Sequence, residues 1–241
     1  QEVEGSSHLR DPQVEIGTGG NVYVTWLEEK YEMREGQMVY GSDEIVQYES
    51  TTGRKAYIAT YNINPSGGIS GSGAAEVTVP TTSWLGNRAR DVYMDVDPSG
   101  RIHISWAESG SVHYAYSDDG GATWTKRQLN PSHNGNDHDA YNSMYTGNPE
   151  MFTNEYGVFI IWIENNDNTG GSRVYLSYRL YGVEGITGFG DDGWVNEEIS
   201  VNQTGAGNID IVSDGEYLYV VYAQMVLAEE TQQVEFTEDG T

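Results

Sequence analysis

The side chains with chemistry to offer in this sequence are arginines and carboxylates, and several stand in recurring places. Arg10 opens the triplet Arg10-Asp11-Pro12 sixteen residues before Trp26, and Arg90-Asp91 stands sixteen residues before Trp106. A guanidinium can fork onto a carboxylate or phosphate, but the recurrence of Arg-Asp at the same spacing is equally a scaffold feature. Glu28, Glu108 and Glu164 each follow a tryptophan by two residues. Two carboxylates about 5 to 10 Å apart suffice for glycoside hydrolysis. The chain holds 37 acidic residues, however, and no spacing among them singles out a pair. Features that recur along a chain are more economically read as scaffold, here a structural or rim role at strand ends.

Metal chemistry is limited by the same inventory. No cysteine occurs, which excludes a disulfide framework and a thiolate metal site. The oxygen-rich segments Asn134-Gly135-Asn136-Asp137-His138-Asp139 and Glu164-Asn165-Asn166-Asp167-Asn168 suit a hard cation, so Asp137, Asp139 and Asp167 are candidate calcium ligands. Solvated loops of that composition are commoner. Asp95 begins a stretch resembling a calcium loop, but its twelfth position is Trp106 rather than Glu, which excludes an EF-hand. His133 and His138, on one loop, carry little weight for zinc.

The elements that must position these residues form a repeat. Runs of β-branched and aromatic residues end at Trp26, Trp106, Trp162 and Tyr222, which lie 80, 56 and 60 residues apart. Each run follows a turn element: Gly19-Gly20, Pro98-Ser99-Gly100, Asn154 to Gly157, or Ser213-Asp214-Gly215. That pattern predicts antiparallel strand pairs joined by tight turns. Third strands are expected at 55–62, 111–117, 173–179 and 232–237, and fourth strands at 76–80, 124–129 and 194–200. No long apolar 3.6-residue period with caps occurs, so almost no helix is expected. The resulting units are 10–80 with an insertion at 28–54, then 81–130, 131–200 and an incomplete 201–241.

One segment makes the reading specific. Ser117, Asp119, Gly121, Thr123 and Trp124 match Ser-x-Asp-x-Gly-x-Thr-Trp, and the chain thereby resembles the Asp-box, or bacterial neuraminidase (BNR) repeat, family of sialidase-like proteins. Gly190-Asp191-Asp192-Gly193-Trp194 keeps only the turn and the Trp. The resemblance implies an all-β fold, a β-propeller of four-stranded antiparallel blades, with about three and a half to four blades present and the chain expected to be part of a longer polypeptide. A small ring closed by strands from both termini is the alternative. The motif residues are expected to be structural: short polar side chains accept turn N–H groups, Gly takes a conformation others resist, and Trp covers the hairpin. Sialidases of this fold hold a substrate carboxylate with three arginines and use a Tyr–Glu pair and an Asp. Arg10-Asp11-Pro12 is similar to the motif carrying their first arginine, but the remaining partners cannot be assigned.

Composition bounds the setting. Twelve basic against 37 acidic residues give a net charge of −25, which repels nucleic acid and anionic lipid. Three lysines against nine arginines on an acid-rich chain fit solubility in high salt, or equally a secreted protein of low pI. No apolar stretch is long enough to span a bilayer, and no signal peptide is evident. With the family resemblance, this points to an extracellular or cell-surface setting. Asn202-Gln203-Thr204 is the one acceptable glycosylation sequon.

Recognition is expected on the long loops. The insertion at 28–54 brings Tyr31 and Tyr40 together with an extra strand near 44–49, and the segment 131–147 brings Tyr141 and Tyr145. These four tyrosines are the ligand-binding candidates. The chain is accordingly expected to be a non-catalytic binding or assembly module whose partner is a glycan, an extracellular protein or a second copy of itself. A sialidase-like exo-glycosidase and a structural subunit of an extracellular layer or filament are the alternatives.

Overall fold

In the computed structural model of the chain, residues 7–37, 45–63, 66, 68–71, 73–77, 89–108, 111–129, 147–166, 171–182, 193–200 and 206–224 are described. The protein is all-β, built from antiparallel sheets that follow one another in chain order. The first contains β1 (Ser7–Ile16), β2 (Asn21–Gln37), β3 (Ile45–Ile63), β4 (Ile69–Gly71) and β5 (Ala75–Glu76), with β4 and β5 both on β3. The second is a meander of β6 (Arg90–Val96), β7 (Ile102–Glu108), β8 (Ser111–Ser117) and β9 (Thr125–Gln128). The third repeats it with β10 (Gly147–Thr153), β11 (Gly157–Asn166), β12 (Gly171–Leu180) and β13 (Val195–Glu198). β14 (Ala206–Ser213) and β15 (Leu218–Gln224) form the last sheet. Among the described residues, the one helical element is a 3-10 turn at Thr18–Gly20.

The insertion at 28–54 is not a loop carrying an extra strand. β2 runs on to Gln37 and β3 starts at Ile45, so most of it prolongs one long hairpin, with a single register shift between Lys30 and Tyr31. The two arms keep their backbone pairing from Tyr31↔Thr51 to Gln37↔Ile45, well beyond the sheet's body.

Register accounts for the repeated Arg-Asp. Each first strand is shifted once against the second: between Arg10 and Gln13, Arg90 and Tyr93, Gly147 and Glu150, and Gly207 and Ile209. Asp11, Asp91 and Asn208 sit in the bulges at φ 50, 53 and 47, in the left-handed region that Asp and Asn tolerate best among non-glycine residues. Asp11 and Asp91 therefore mark a backbone kink.

The sheets pack face to face in series. Tyr23, Leu27, Ala56 and Ile58 of the first meet Val92, Met94, Ile102, Ile104 and Trp106 of the second. Val112, Tyr114 and Leu129 meet Met151, Val158, Ile160, Trp162 and Trp194. Ile161, Ile163 and Val174 meet Ile209 and Ile211, with Val220 and Tyr222 against them. Burial patterns follow. β7, between two sheets, is buried along its whole length, whereas β2 alternates, with Tyr23, Thr25, Leu27 and Glu29 buried and Val22, Val24, Trp26 and Glu28 half-buried.

The tryptophan anchors share one cross-strand stacking contact. Trp26 stacks on Tyr57, Trp106 on His113 and Trp162 on Tyr175, each directly across the second and third strands, with centroids 5.9, 5.3 and 5.7 Å apart. Glu108 is fully buried and accepts a 3.0 Å hydrogen bond from Trp106 Nε1. A rim role is thus overturned for Glu108: a carboxylate two residues on from the Trp lies on the same face and reaches the indole N–H.

Candidate functional site

The motif at 117–124 builds a turn whose polar groups satisfy one another. Ser117 Oγ donates to Asp119 Oδ1 at 2.8 Å and accepts the Gly121 N–H at 2.8 Å. Asp119 also accepts from Thr123 N at 2.8 Å and Thr123 Oγ1 at 2.6 Å, and Trp124 Nε1 donates to Gly121 O at 3.0 Å. Gly121, at φ 96, lies against Ile58 of the first sheet, and Thr60 Oγ1 donates to Gly120 O at 3.0 Å. The turn therefore clips two sheets together. The Thr123 donors, with Ser117, hold the Asp119 carboxyl down to about 2 from 3.8. Its folded pKa is depressed, so its contribution is present above pH 3.8 and lost as pH falls toward 2. Asp119→Ala is expected to lower Tm by a few degrees at pH 7 and by clearly less near pH 2, read by thermal melts at both.

Two residues that the sequence offered for separate roles, Arg10 and Tyr31, are brought together on the first sheet. Arg10 Nε lies 2.6 Å from Glu29 Oε2, and its Nη2 donates to Tyr31 Oη at 3.1 Å. Arg54 Nε donates to the other oxygen, Glu29 Oε1, at 2.7 Å. Glu29 is buried, held between the two guanidiniums, while Arg10 is more than half exposed. The His8 ring meets Tyr31 edge-on with centroids 4.8 Å apart. Arg10 is thus anchored from beneath by a carboxylate, and it presents its remaining N–H groups beside an imidazole and a phenol. That surface has an aromatic platform and fixed donors, the means by which a polar, ring-shaped ligand is held. Glu29, one residue past the recurring Glu28, had no sequence signal of its own.

A second cluster lies where the first strands of successive sheets adjoin. Gln13, Tyr93, Glu150 and Asp210 each pair with the residue just before the aromatic anchor, at Thr25, Ser105, Ile161 and Val221. Gln13 Oε1 accepts from Met94 N at 3.0 Å, and Asp95 Oδ2 accepts from Thr153 N and Oγ1 at 2.6 and 3.0 Å, so each reaches the next sheet. Glu150 reaches Asp210. Burial, then the charge and hydrogen bond of Asp210, push the Glu150 carboxyl up from 4.5 to about 7. Burial and then Asp95 raise Glu15, and burial and then Glu150 raise the Tyr93 phenol. These residues were legible only as repeat positions, since their meeting depends on the bulge.

The Glu150 shift carries a sign. Between pH 4.5 and about 7 the folded chain holds a proton that the unfolded chain releases, so the contribution of this carboxyl to stability is complete below 4.5 and is lost as pH rises through 7. Glu150→Gln keeps a donor toward Asp210 without the charge. The variant is expected to melt several degrees above the parent at pH 8 and level with it at pH 4.5, by scanning calorimetry at both.

The other candidates, Tyr40, Tyr141, Tyr145, Asp137, Asp139 and Asp167, lie outside the described residues. Among the described residues, no group of three or more histidine, aspartate or glutamate side chains is placed to hold a metal ion, and no helix is long and apolar enough to cross a membrane. No family model matches this chain, and no curated protein matches it in sequence.

Proposed function

We propose that this chain is an Asp-box β-propeller segment of a secreted or cell-surface protein, and that it acts as a non-catalytic binding and assembly module for a glycan or another surface protein. The observation that carries the binding role is the Arg10, Tyr31 and His8 surface, with Arg10 fixed by Glu29. The propeller is supported by the serial packing of like sheets, the shared cross-strand stacking of Trp26, Trp106 and Trp162, and the self-satisfied turn at 117–124. In a sialidase-like site Arg10 would be directed at the substrate carboxylate. Here its Nε already meets an internal one. The Glu150–Asp210 pair is also ill suited to glycoside hydrolysis, because carboxyls in mutual hydrogen bond sit closer than the roughly 5 Å needed to flank a glycosidic bond.

Glycan-array binding tests the proposal, together with hydrolysis of a fluorogenic sialoside. Binding without turnover, weakened by Tyr31→Ala, is the expected result. Turnover that is lost in Arg10→Ala would replace this reading with the enzyme.

A further inference from the structure

We propose that the cleft between the second and third sheets binds a tetrahedral oxyanion, a phosphate or sulfate group, between the guanidiniums of Arg127 and Arg179. The site goes beyond the function proposed above. It lies on other sheets than Arg10 and Tyr31 and does not depend on them.

Strand register brings the two arginines face to face. Arg127 of β9 stands opposite Tyr114 of β8, and Tyr114 and Leu129 pack on the third sheet, so Arg127 lies on the surface turned toward that sheet. Arg179 of β12 stands opposite Val158 of β11, and Val158 is buried in the same cluster, which turns Arg179 toward the second sheet. The two charges act on each other: burial, and then Arg179, lower the Arg127 guanidinium. Arg179 also acts on the phenol of Tyr114, so its charge reaches across the joint.

The packing around the pair holds it in place. Trp194 of the third sheet meets Tyr114 edge-on with centroids 4.8 Å apart, Asn196 Nδ2 donates to Leu129 O at 2.9 Å, and Tyr181 Oη donates to Asp97 at 3.0 Å. The arginines are thus kept together by the joint between the sheets and not by attraction for each other.

An anion between them would remove the conflict. Like charges brought together away from water destabilise each other, and here they meet in a chain with 12 basic against 37 acidic residues. The carboxylates beside the cleft have other partners. Asp97 accepts from Ser99, the Arg101 N–H and Tyr181, Asp118 accepts from Arg101 Nε at 2.6 Å, and Glu198 accepts from Arg173 Nη1 at 3.1 Å. Among the described residues, no carboxylate forms an ion pair with Arg179. Two guanidiniums converging from different strands suit a tetrahedral oxyanion, because each fork can take its own pair of oxygens and a dianion answers both charges. A planar carboxylate offers one pair of oxygens and one charge.

Inorganic phosphate and inorganic sulfate are the probes, with chloride at equal ionic strength as the reference. In chloride, Arg179→Gln relieves the repulsion and is expected to melt level with the parent or above it. In either oxyanion the parent is expected to overtake the variant, and the general stabilisation by these salts acts on both chains alike. Titration calorimetry is expected to show one site per chain, weakened about tenfold or more in Arg179→Gln and in Arg127→Gln. Displacement of bound sulfate by a sulfated monosaccharide would identify an ester-borne group as the ligand, and its failure a free ion. No binding of either oxyanion would overturn the proposal. So would an Arg179→Gln chain that melts below the parent equally in chloride and in phosphate, since a carboxylate of the chain itself would then be neutralising the pair. Neither variant touches Arg10, Tyr31 or His8, so loss of glycan binding and loss of oxyanion binding are separate results.

Discussion

Trp106→Ala is expected to destabilise the protein by about 3 to 5 kcal/mol, the range for emptying a fully buried aromatic site. At roughly 2 to 4 °C per kcal/mol for a chain of this size, the melting temperature falls by on the order of 10 °C. Trp106 is wholly buried between two sheets, stacks on His113 and donates to Glu108, so its removal opens a cavity and leaves a buried carboxylate oxygen without its N–H donor. Trp26 holds the same repeat position and the same stacking geometry on Tyr57, but it is only partly buried. Trp26→Ala is therefore expected to cost less than half as much. Thermal and denaturant melts of both variants check the difference. Equal losses would mean that the first sheet's outer face is covered, or that the first and second sheets do not hold Trp106 between them.

Asp97→Ala is expected to cost about 2 to 4 kcal/mol, because it removes a local turn anchor and a link between sheets at once. Asp97 is 3% exposed. Its Oδ1 accepts from Ser99 N, Ser99 Oγ and Arg101 N at 2.9, 2.6 and 3.0 Å. Oδ2 accepts from the Tyr181 hydroxyl at 3.0 Å and lies 3.3 Å from His103 Nε2. His103 Nδ1 in turn lies 2.7 Å from Tyr114 Oη. Burial alone would raise the Asp97 carboxyl, but hydrogen bonds with His103, Ser99, Arg101 and Tyr181 outweigh it and hold the group well below the usual carboxylate range. The depressed value means that this stability is present above pH 3.8 and is lost only as the medium becomes strongly acid. Tyr181→Phe removes only the hydroxyl's inter-sheet contacts, with Asp97 and His103, and is expected to cost about 1 kcal/mol. A Tyr181→Phe loss as large as that of Asp97→Ala would show that the turn bonds contribute little.

What was legible in the sequence is what local chemistry controls. The third strand at 111–117 coincides with β8, and those at 55–62 and 173–179 fall within β3 and β12, because β-branched and aromatic runs bounded by turn residues have few alternatives. The turn at 117–124 was readable for the same reason, since every donor and acceptor in it lies within four residues of its partner. The long hairpin was not, because its arms are polar and resemble a loop in composition. Nor was the environment of Arg10. The sequence offered it as a substrate-binding arginine by position, whereas its partner Glu29 lies on the neighbouring strand and is shared with Arg54, which is 25 residues from Glu29. The meeting of Glu150 with Asp210 depends on one bulge in each of two strands, and a bulge moves every later side chain to the other face.

The account as a whole rests on sheets stacked in chain order through equivalent faces, with β1 and β15 carrying exposed apolar residues and β7 buried throughout among the described residues. Backbone hydrogen exchange, followed by mass spectrometry at a concentration where the protein sediments as a monomer, reads this directly. The amides of β7 and β11 are expected to exchange slowest, and those of β1 and β15 markedly faster. Protection in β1 and β15 equal to that in β7 would contradict this stacking.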